Sequence, residues 1–194
     1  MSGIPYVIEG EGQKERVYDL YSRLLKDRII FIGSEFTKEL SNAVVAQLLF
    51  LEADDPEQDI TIYINSPGGL VSACLAIYDV INYIKPDVST VCIGEAASAA
   101  AFILAAGAKN KRFALKNARI MLHQVSSGAE GHIEDLKRSV KEAERLNDIM
   151  INEWANMTGK TVKQLKKDID RDYYIGPEDA KIYGVIDEVL LNRE

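Results

Sequence analysis

Two consecutive segments repeat the order of a strand, a tight turn of small residues and a helix, and this repeat constrains the fold more than any other feature of the sequence. In the first segment, DITIYIN alternates apolar residues and is followed by SPGG and a helical pattern to about Ile84. In the second, VSTVCIG is followed by EAAS and a helical pattern to about Ala106. Two successive βα units indicate an α/β fold around a parallel sheet.

The rest of the chain extends this pattern without a linker, so its 194 residues are predicted to form one domain. Residues 1–17, which mix Gly, Pro and charged residues, are predicted to form a mobile N-terminal arm. A third core strand, ARIMLHQ, ends at His123. Beyond it, apolar residues recur along one stripe from Ile133 to Met157. A helix of that length is predicted to project beyond the core or to pack on another subunit.

Composition excludes several classes of function. The formal net charge is -7 and no block of Lys and Arg is long, which argues against a nucleic-acid partner. The longest apolar run, Ala96 to Ala108, is too short to cross a membrane, and no secretory signal is evident, so we expect a cytoplasmic protein. Cys74 and Cys92 are predicted to be buried thiols, and with so few Cys and His residues we expect no metal site.

Ser98 raises the question of chemistry because it lies among alanines where a strand is predicted to become a helix. It is either a packing residue in a close helix contact or a nucleophile with space for a substrate. His123 belongs at the same edge of the sheet, where sites of open α/β sheets form. The backbone N–H groups of Gly69 and Ala99 belong there too and are candidates to stabilise an oxyanion. His132, the other histidine, is interpreted as a solvated or capping residue, and no orienting carboxylate can be chosen from the residues alone.

Five motifs are spread over nearly the whole sequence. They are SRLLKDRIIFIG, YINSPGG, GEAASAAAFILAAGAKNKR, NARIMLHQ and DRDYYIGPEDAKIYGVIDEV. In these motifs and in their order, the chain resembles the proteolytic subunit of the Clp protease. The resemblance implies an α/β, crotonase-like spiral of βα units with a protruding handle helix. It also implies a serine endopeptidase that needs no metal or cofactor.

Matched residue by residue, the resemblance implies that Ser98 is the nucleophile, His123 the general base and Asp172 the orienting acid. The backbone of Gly69 and Ala99 would form the oxyanion hole.

The resemblance also implies a homo-oligomer of two stacked heptameric rings that encloses a chamber for unfolded polypeptide substrates. Asp170 and Arg171 would form the contact between the rings, and residues 124–158 the handle. An ATP-dependent unfoldase hexamer would deliver substrates, because this chain has no GxxxxGK[ST] phosphate-binding loop. The residues implied for the unfoldase-docking pocket are Tyr63, Val91, Phe113 and Leu115.

Four positions depart from the family's usual pattern. Val125 replaces a proline, Ser127 a glycine and Ala99 a methionine, while Thr61 stands where an aromatic residue is common. The first two changes predict a less constrained segment after His123. One alternative is therefore a catalytically weak paralogue that acts in mixed rings with a more typical subunit. A second is an acyl-CoA enzyme of the crotonase superfamily, which would not need Ser98, His123 and Asp172 together.

Overall fold

The computed structural model describes residues 4–10, 15–128 and 130–192 of the chain, and within them it contains nine strands and seven helices. The strands are β1 Tyr6–Glu9, β2 Arg16–Asp19, β3 Ile29–Ile32, β4 Ile60–Ser66, β5 Val88–Ala97, β6 Arg112–Leu115, β7 Arg119–Leu122, β8 Tyr173–Ile175 and β9 Glu188–Leu190. The helices are α1 Leu20–Lys26, α2 Lys38–Asp54, α3 Val71–Tyr83, α4 Ala99–Ala105, α5 Ile133–Thr158, α6 Val162–Asp168 and α7 Pro177–Tyr183.

The central sheet has the strand order β3-β4-β5-β6-β9, with all neighbours parallel. The ten-residue strand β5 has two successive partners on one side. Its first part, Thr90–Cys92, pairs with β6, and its last part, Glu95–Ala97, pairs in parallel with β7. The short strand β8 then adds to β7 in the antiparallel direction. The predicted α/β fold of repeated βα units around a parallel sheet is therefore confirmed.

Helix α4 lies at the centre of the core, and all seven of its residues are buried. Four of the seven are alanines, whose small side chains allow neighbouring elements to approach closely. The larger Phe102 packs between Tyr78 of α3 and Trp154 of α5, with ring centroids 5.0 and 5.3 Å away. The helix that follows Ser98 is thus packed through Phe102 against aromatic residues of two other helices.

The structure contains three strand features that the sequence analysis did not predict. An antiparallel pair of strands, β1 and β2, begins in the proposed N-terminal arm and extends beyond it to Asp19. Residues 1–3 and 11–14 of the arm are outside the described residues. Strands β6 and β8 are short, with four and three residues, and carry too little periodicity to be predicted. Strand β5 continues to Ala97, through residues that were expected to form a turn.

Helix α5 packs on the core only near its C-terminal end. Its buried residues are Met150, Ile151 and Trp154, whereas the side chains of Ile133 and Val140 are 70% and 55% exposed. The N-terminal part of this 26-residue helix thus keeps an apolar stripe that its own subunit does not cover. Ala129, in the proposed handle segment, lies outside the described residues. In the described parts of the chain, no helix combines the length and apolarity needed to span a membrane.

Arg112 and Asp187 form a largely buried ion pair, with 2.6 Å between Nη2 and Oδ1. The burial of Asp187 raises its pKa, but the hydrogen bonds and charge of Arg112 outweigh burial, so the pKa is lowered overall. We expect Asp187→Asn to lower the free energy of unfolding by about 3 kcal/mol at neutral pH, because it leaves the Arg112 charge unpaired. Chemical denaturation of the purified protein measures this loss.

Acid provides a second check on the same pair. A carboxylate with a lowered pKa stabilises the fold above its unfolded-state pKa, and this stabilisation is lost as the pH falls through the folded-state value. The difference in the free energy of unfolding between wild type and Asp187→Asn is therefore expected to become smaller below about pH 4. Asp87→Asn is the matched control, because Asp87 forms an exposed pair with Lys111 that is worth less than about 1 kcal/mol. If the loss of unfolding free energy in Asp187→Asn were the same at every pH, the ionised Asp187 carboxylate would not be the stabilising group.

Candidate active site

Ser98 occupies the turn between the end of β5 and the start of α4. Its backbone has φ 55° and ψ −120°, a left-handed conformation that residues with a Cβ rarely adopt. The Ser98 N–H donates to the carbonyl of Met121 over 2.8 Å, and the Ser98 carbonyl accepts from Phe102 N–H. Strain of this kind costs about 1–3 kcal/mol and persists where surrounding contacts impose it. The turn presents the half-buried side chain of Ser98 at the sheet edge.

Strand register brings His123 to Ser98. Ala97 at the end of β5 is paired with Met121 of β7, so the residues just beyond the two strand ends are neighbours. The distance between Ser98 Oγ and His123 Nε2 is 2.7 Å, which is a hydrogen bond. The expectation that Ser98 and His123 share one sheet edge rested on parallel strands, and the structure places them in direct contact.

Asp172 reaches the same place through the antiparallel pairing of β7 and β8. Leu122 is opposite Tyr173, so the next pair in this register is His123 and Asp172. His123 Nδ1 lies 3.5 Å from Asp172 Oδ1, longer than a strong charge-assisted hydrogen bond. The Asp172 side chain is 55% exposed, and its other oxygen lies 3.5 Å from the Tyr174 hydroxyl. The carboxylate thus lies beside the imidazole without a short hydrogen bond to it.

The turn at Gly68 and Gly69 lies directly against the Ser98 turn. Gly68 has φ 92°, and a Cβ there would lie 2.8 Å from Ser98 Cβ and 3.0 Å from Ala99 N. Gly69 forms an isolated parallel bridge with Phe36, in which Phe36 N–H donates to Gly68 O and Leu70 N–H donates to Phe36 O. Because the groups on either side of Gly69 make this bridge, its own N–H faces away from Phe36. The Ala99 N–H belongs to the first turn of α4, where no intrahelical acceptor exists.

A cavity of about 330 Å³ opens beside these residues. Ser98, His123, Gly69 and Ala99 all line it, so the structure brings together four of the sequence-predicted residues, with Asp172 behind the imidazole. Among the other lining residues, the sequence analysis had singled out only Val125, in the segment after His123. The apolar ones among them include Val71, Val125, Met150, Ile151 and Trp154. Met150 and Trp154 were recognisable only as part of the apolar stripe of α5.

Comparison with known proteins decides the family. A family model described as Clp protease matches residues 12–193. The chain belongs to the Clp protease family. This confirms the resemblance inferred from the sequence motifs, and membership supports peptidase activity. In the described portion of this family member, no group of three or more His, Cys, Asp or Glu side chains is arranged to hold a metal ion.

Another cavity of this Clp protease family member, of about 320 Å³, is lined mainly by apolar residues of β4, β5, β6 and β9. Tyr63, Val91 and Phe113 are register neighbours on β4, β5 and β6. Three of the four residues implied for the docking pocket, Tyr63, Val91 and Leu115, line the cavity, and Phe113 does not. The lining residues that were missed are Ile93, Leu190, Leu191 and Asn192.

The residues implied for contact between rings lie just before Asp172. Asp170 and Arg171 are both exposed, and Arg171 Nη1 donates to the Asp170 carbonyl over 3.1 Å. The same carbonyl accepts a hydrogen bond from the Gln124 side chain over 3.0 Å. The Asp170 carbonyl thus accepts hydrogen bonds from both Arg171 and Gln124, the residue that follows His123.

Proposed function

We propose that this Clp protease family member is a serine endopeptidase subunit in which Ser98 is the nucleophile, His123 the general base and Asp172 the orienting acid. The observation that carries the proposal is the 2.7 Å contact between Ser98 Oγ and His123 Nε2 beside an open cavity. A nucleophile within hydrogen-bond reach of its base, with the base oriented by a third group, is the arrangement that acyl transfer requires.

The reaction follows from this geometry. Ser98 Oγ–H donates to His123 Nε2, which takes the proton as Oγ attacks the scissile carbonyl carbon of a polypeptide. The oxyanion accepts hydrogen bonds from the backbone N–H groups of Gly69 and Ala99. His123 then protonates the leaving amine as the peptide C–N bond breaks and the acyl-enzyme forms. Water, deprotonated by His123, attacks the acyl carbon, and His123 returns the proton to Ser98 Oγ as the bond between Oγ and the acyl carbon breaks and the acid product leaves. Asp172 accepts from His123 Nδ1–H and stabilises the imidazolium. No step uses a metal or a cofactor.

The apolar stripe of α5 supports association of the subunits, and the resemblance to the family implies that they assemble as two stacked heptameric rings around a chamber. Ile133 and Val140 are largely exposed in the single subunit, and a stripe of this length is a surface that an oligomer would bury. Asp170 and Arg171 would add contacts between the rings. In this assembly an ATP-dependent unfoldase hexamer would dock at the cavity lined by Tyr63, Val91 and Leu115 and deliver unfolded polypeptides.

One observation favours a second candidate function. The 3.5 Å separation of His123 Nδ1 and Asp172 Oδ1, together with the exposure of Asp172, describes an incompletely formed triad in the single subunit. The alternative is a catalytically weak paralogue that contributes mainly structure to mixed rings with a more typical subunit. The two candidates differ in whether rings of this chain alone hydrolyse peptides.

The decisive experiment measures hydrolysis of a short fluorogenic peptide by the purified chain, alone and with a typical Clp proteolytic subunit whose own nucleophile has been replaced by alanine. Light scattering on the same samples gives the assembly size. We expect ring-sized particles and Ser98-dependent hydrolysis, increased when an assembly partner closes the gap between His123 and Asp172. Ring-sized particles without hydrolysis in either sample would support the structural paralogue. A monomer without hydrolysis in either sample would contradict both candidates.

A further inference from the structure

The segment immediately after His123 is attached to helix α5 by one side chain. The backbone N–H of Val125 donates to Asn147 Oδ1 over 3.1 Å, across 22 residues of sequence. Val125 and Asn147 are both half-buried, and both line the cavity beside Ser98. On α5, Asn147 lies one turn before Met150 and Ile151, which are buried against the core. The bond therefore connects the cleft segment, defined as residues 124–126, to the anchored part of the long helix.

The opposite side of the cleft segment is attached to the chain that leads to Asp172. Gln124 N–H donates to the Ile169 carbonyl over 2.8 Å, and the Gln124 side chain donates to the Asp170 carbonyl over 3.0 Å. Three hydrogen bonds thus fix the two residues that follow His123. The acceptors of two of these bonds are carbonyls in the segment before Asp172, and the acceptor of the third is the Asn147 side chain of α5.

The third bond depends on the residue type at position 125. A proline there would have a fixed φ but no N–H to donate, so the bond to Asn147 is possible because the residue is not proline. The sequence analysis expected the valine to leave this segment less constrained. In the structure, the same residue donates a hydrogen bond to a side chain of α5.

We propose that Asn147 is a positioning residue for the Ser98 site, which holds the cleft segment, and through it His123, in the place where His123 accepts the Ser98 proton. The proposal rests on the proposed serine peptidase function. Displacement of a base by about 1 Å lowers a rate by about a hundredfold, so one lost restraint beside His123 has a measurable effect on turnover. The imidazole keeps its two other restraints through Gln124, and the expected loss is therefore smaller, about tenfold.

A purely structural role for Asn147 predicts a different result. Asparagine is a weaker helix former than alanine, and position 147 lies in the interior of α5. If Asn147 contributed only to the helix, Asn147→Ala would leave stability unchanged or raise it, without any change in Ser98 reactivity. The positioning role predicts that Ser98 reactivity falls while α5 remains folded.

The test compares four variants of the full-length assembled protein: Asn147→Ala, Asn147→Asp, Val125→Pro and the double variant Val125→Pro with Asn147→Ala. Asn152→Ala is the matched control, because Asn152 is exposed on the same helix, where its side chain donates to the backbone carbonyl of Asp148. For each protein we would measure kcat and KM for a fluorogenic peptide, the rate of inactivation by a fluorophosphonate, and hydrogen exchange of residues 124–128.

We expect Asn147→Ala to lower both kcat and the inactivation rate by about tenfold, with little change in KM, and to speed exchange in the cleft segment. Asn147→Asp keeps an acceptor oxygen and is expected to retain most of the rate, while Asn152→Ala matches wild type. In the Val125→Pro background, Asn147→Ala is expected to have no further effect, since the donor is already absent.

Two results would overturn the positioning role. One is an Asn147→Ala protein that reacts with the fluorophosphonate as fast as wild type. The other is an effect of Asn147→Ala that is equally large in the Val125→Pro background. A wild type that neither hydrolyses the peptide nor reacts with the fluorophosphonate would refute the serine peptidase function instead. In that case the exchange measurement still tests the Asn147 contact by itself.

Discussion

Replacing Ser98 with alanine is expected to abolish peptide hydrolysis and covalent labelling by a fluorophosphonate, with a loss in kcat of at least about a thousandfold. Removal of the nucleophile from a Ser-His-Asp site leaves only the contribution of substrate binding and of the oxyanion donors. The structure predicts little change in stability, because the hydroxyl projects into a cavity and its recorded partner is His123. Peptide hydrolysis kinetics and fluorophosphonate labelling measure the loss of activity, and thermal denaturation of the same sample measures stability.

Two further variants separate the hydroxyl from the backbone strain at this position. Ser98→Gly also removes the nucleophile but relieves the left-handed conformation at φ 55°, so it is expected to be inactive and more stable than Ser98→Ala. Ser22→Ala removes an exposed hydroxyl of α1 that does not line this cavity, and it is expected to keep both labelling and turnover. Substantial activity in either Ser98 variant would show that the nucleophile is another residue.

A single methyl group at Gly68 is expected to reduce activity by more than about a hundredfold and to destabilise the fold. The Cβ of Gly68→Ala would lie 2.5 Å from the Ala97 carbonyl oxygen and 2.8 Å from Ser98 Cβ, and φ at this residue is 92°. Both the contact and the backbone conformation are unfavourable for any residue but glycine. Relief of the clash moves the Ser98 turn away from the Gly69 turn, and with it the relative placement of nucleophile and oxyanion donors.

Gly128→Ala is the matched control for Gly68→Ala. A Cβ at Gly128 has no heavy atom within 4 Å, so this variant is expected to match wild type in stability. Steady-state kinetics and denaturant unfolding of the two variants, side by side, give the comparison. If Gly68→Ala retained wild-type kcat, the close approach of the two turns would have no part in catalysis.

Much of the fold was predictable because its signals are local. The alternating apolar residues of β4, the short apolar stretch from Val91 to Ile93 in β5 and the helical stripe of α5 each lie within one segment. The βα repeat then implies parallel strands, and parallel strands place Ser98 and His123 at one edge. The β1–β2 hairpin, β6 and β8 escaped prediction because short strands are stabilised mainly by pairing with distant residues.

By itself, the sequence determined the α/β class, the presence of Ser98 and His123 at one sheet edge, and the family to which the chain belongs. Apart from the family resemblance, the sequence did not determine which of its many carboxylates lies beside His123. That choice depends on the register of β7 against β8. Nor did the sequence reveal that Asn147 holds Val125, since the two residues meet only when α5 folds back on the core. Local patterns follow from side-chain chemistry within a segment, whereas register and packing follow from which distant segments bury their surfaces together.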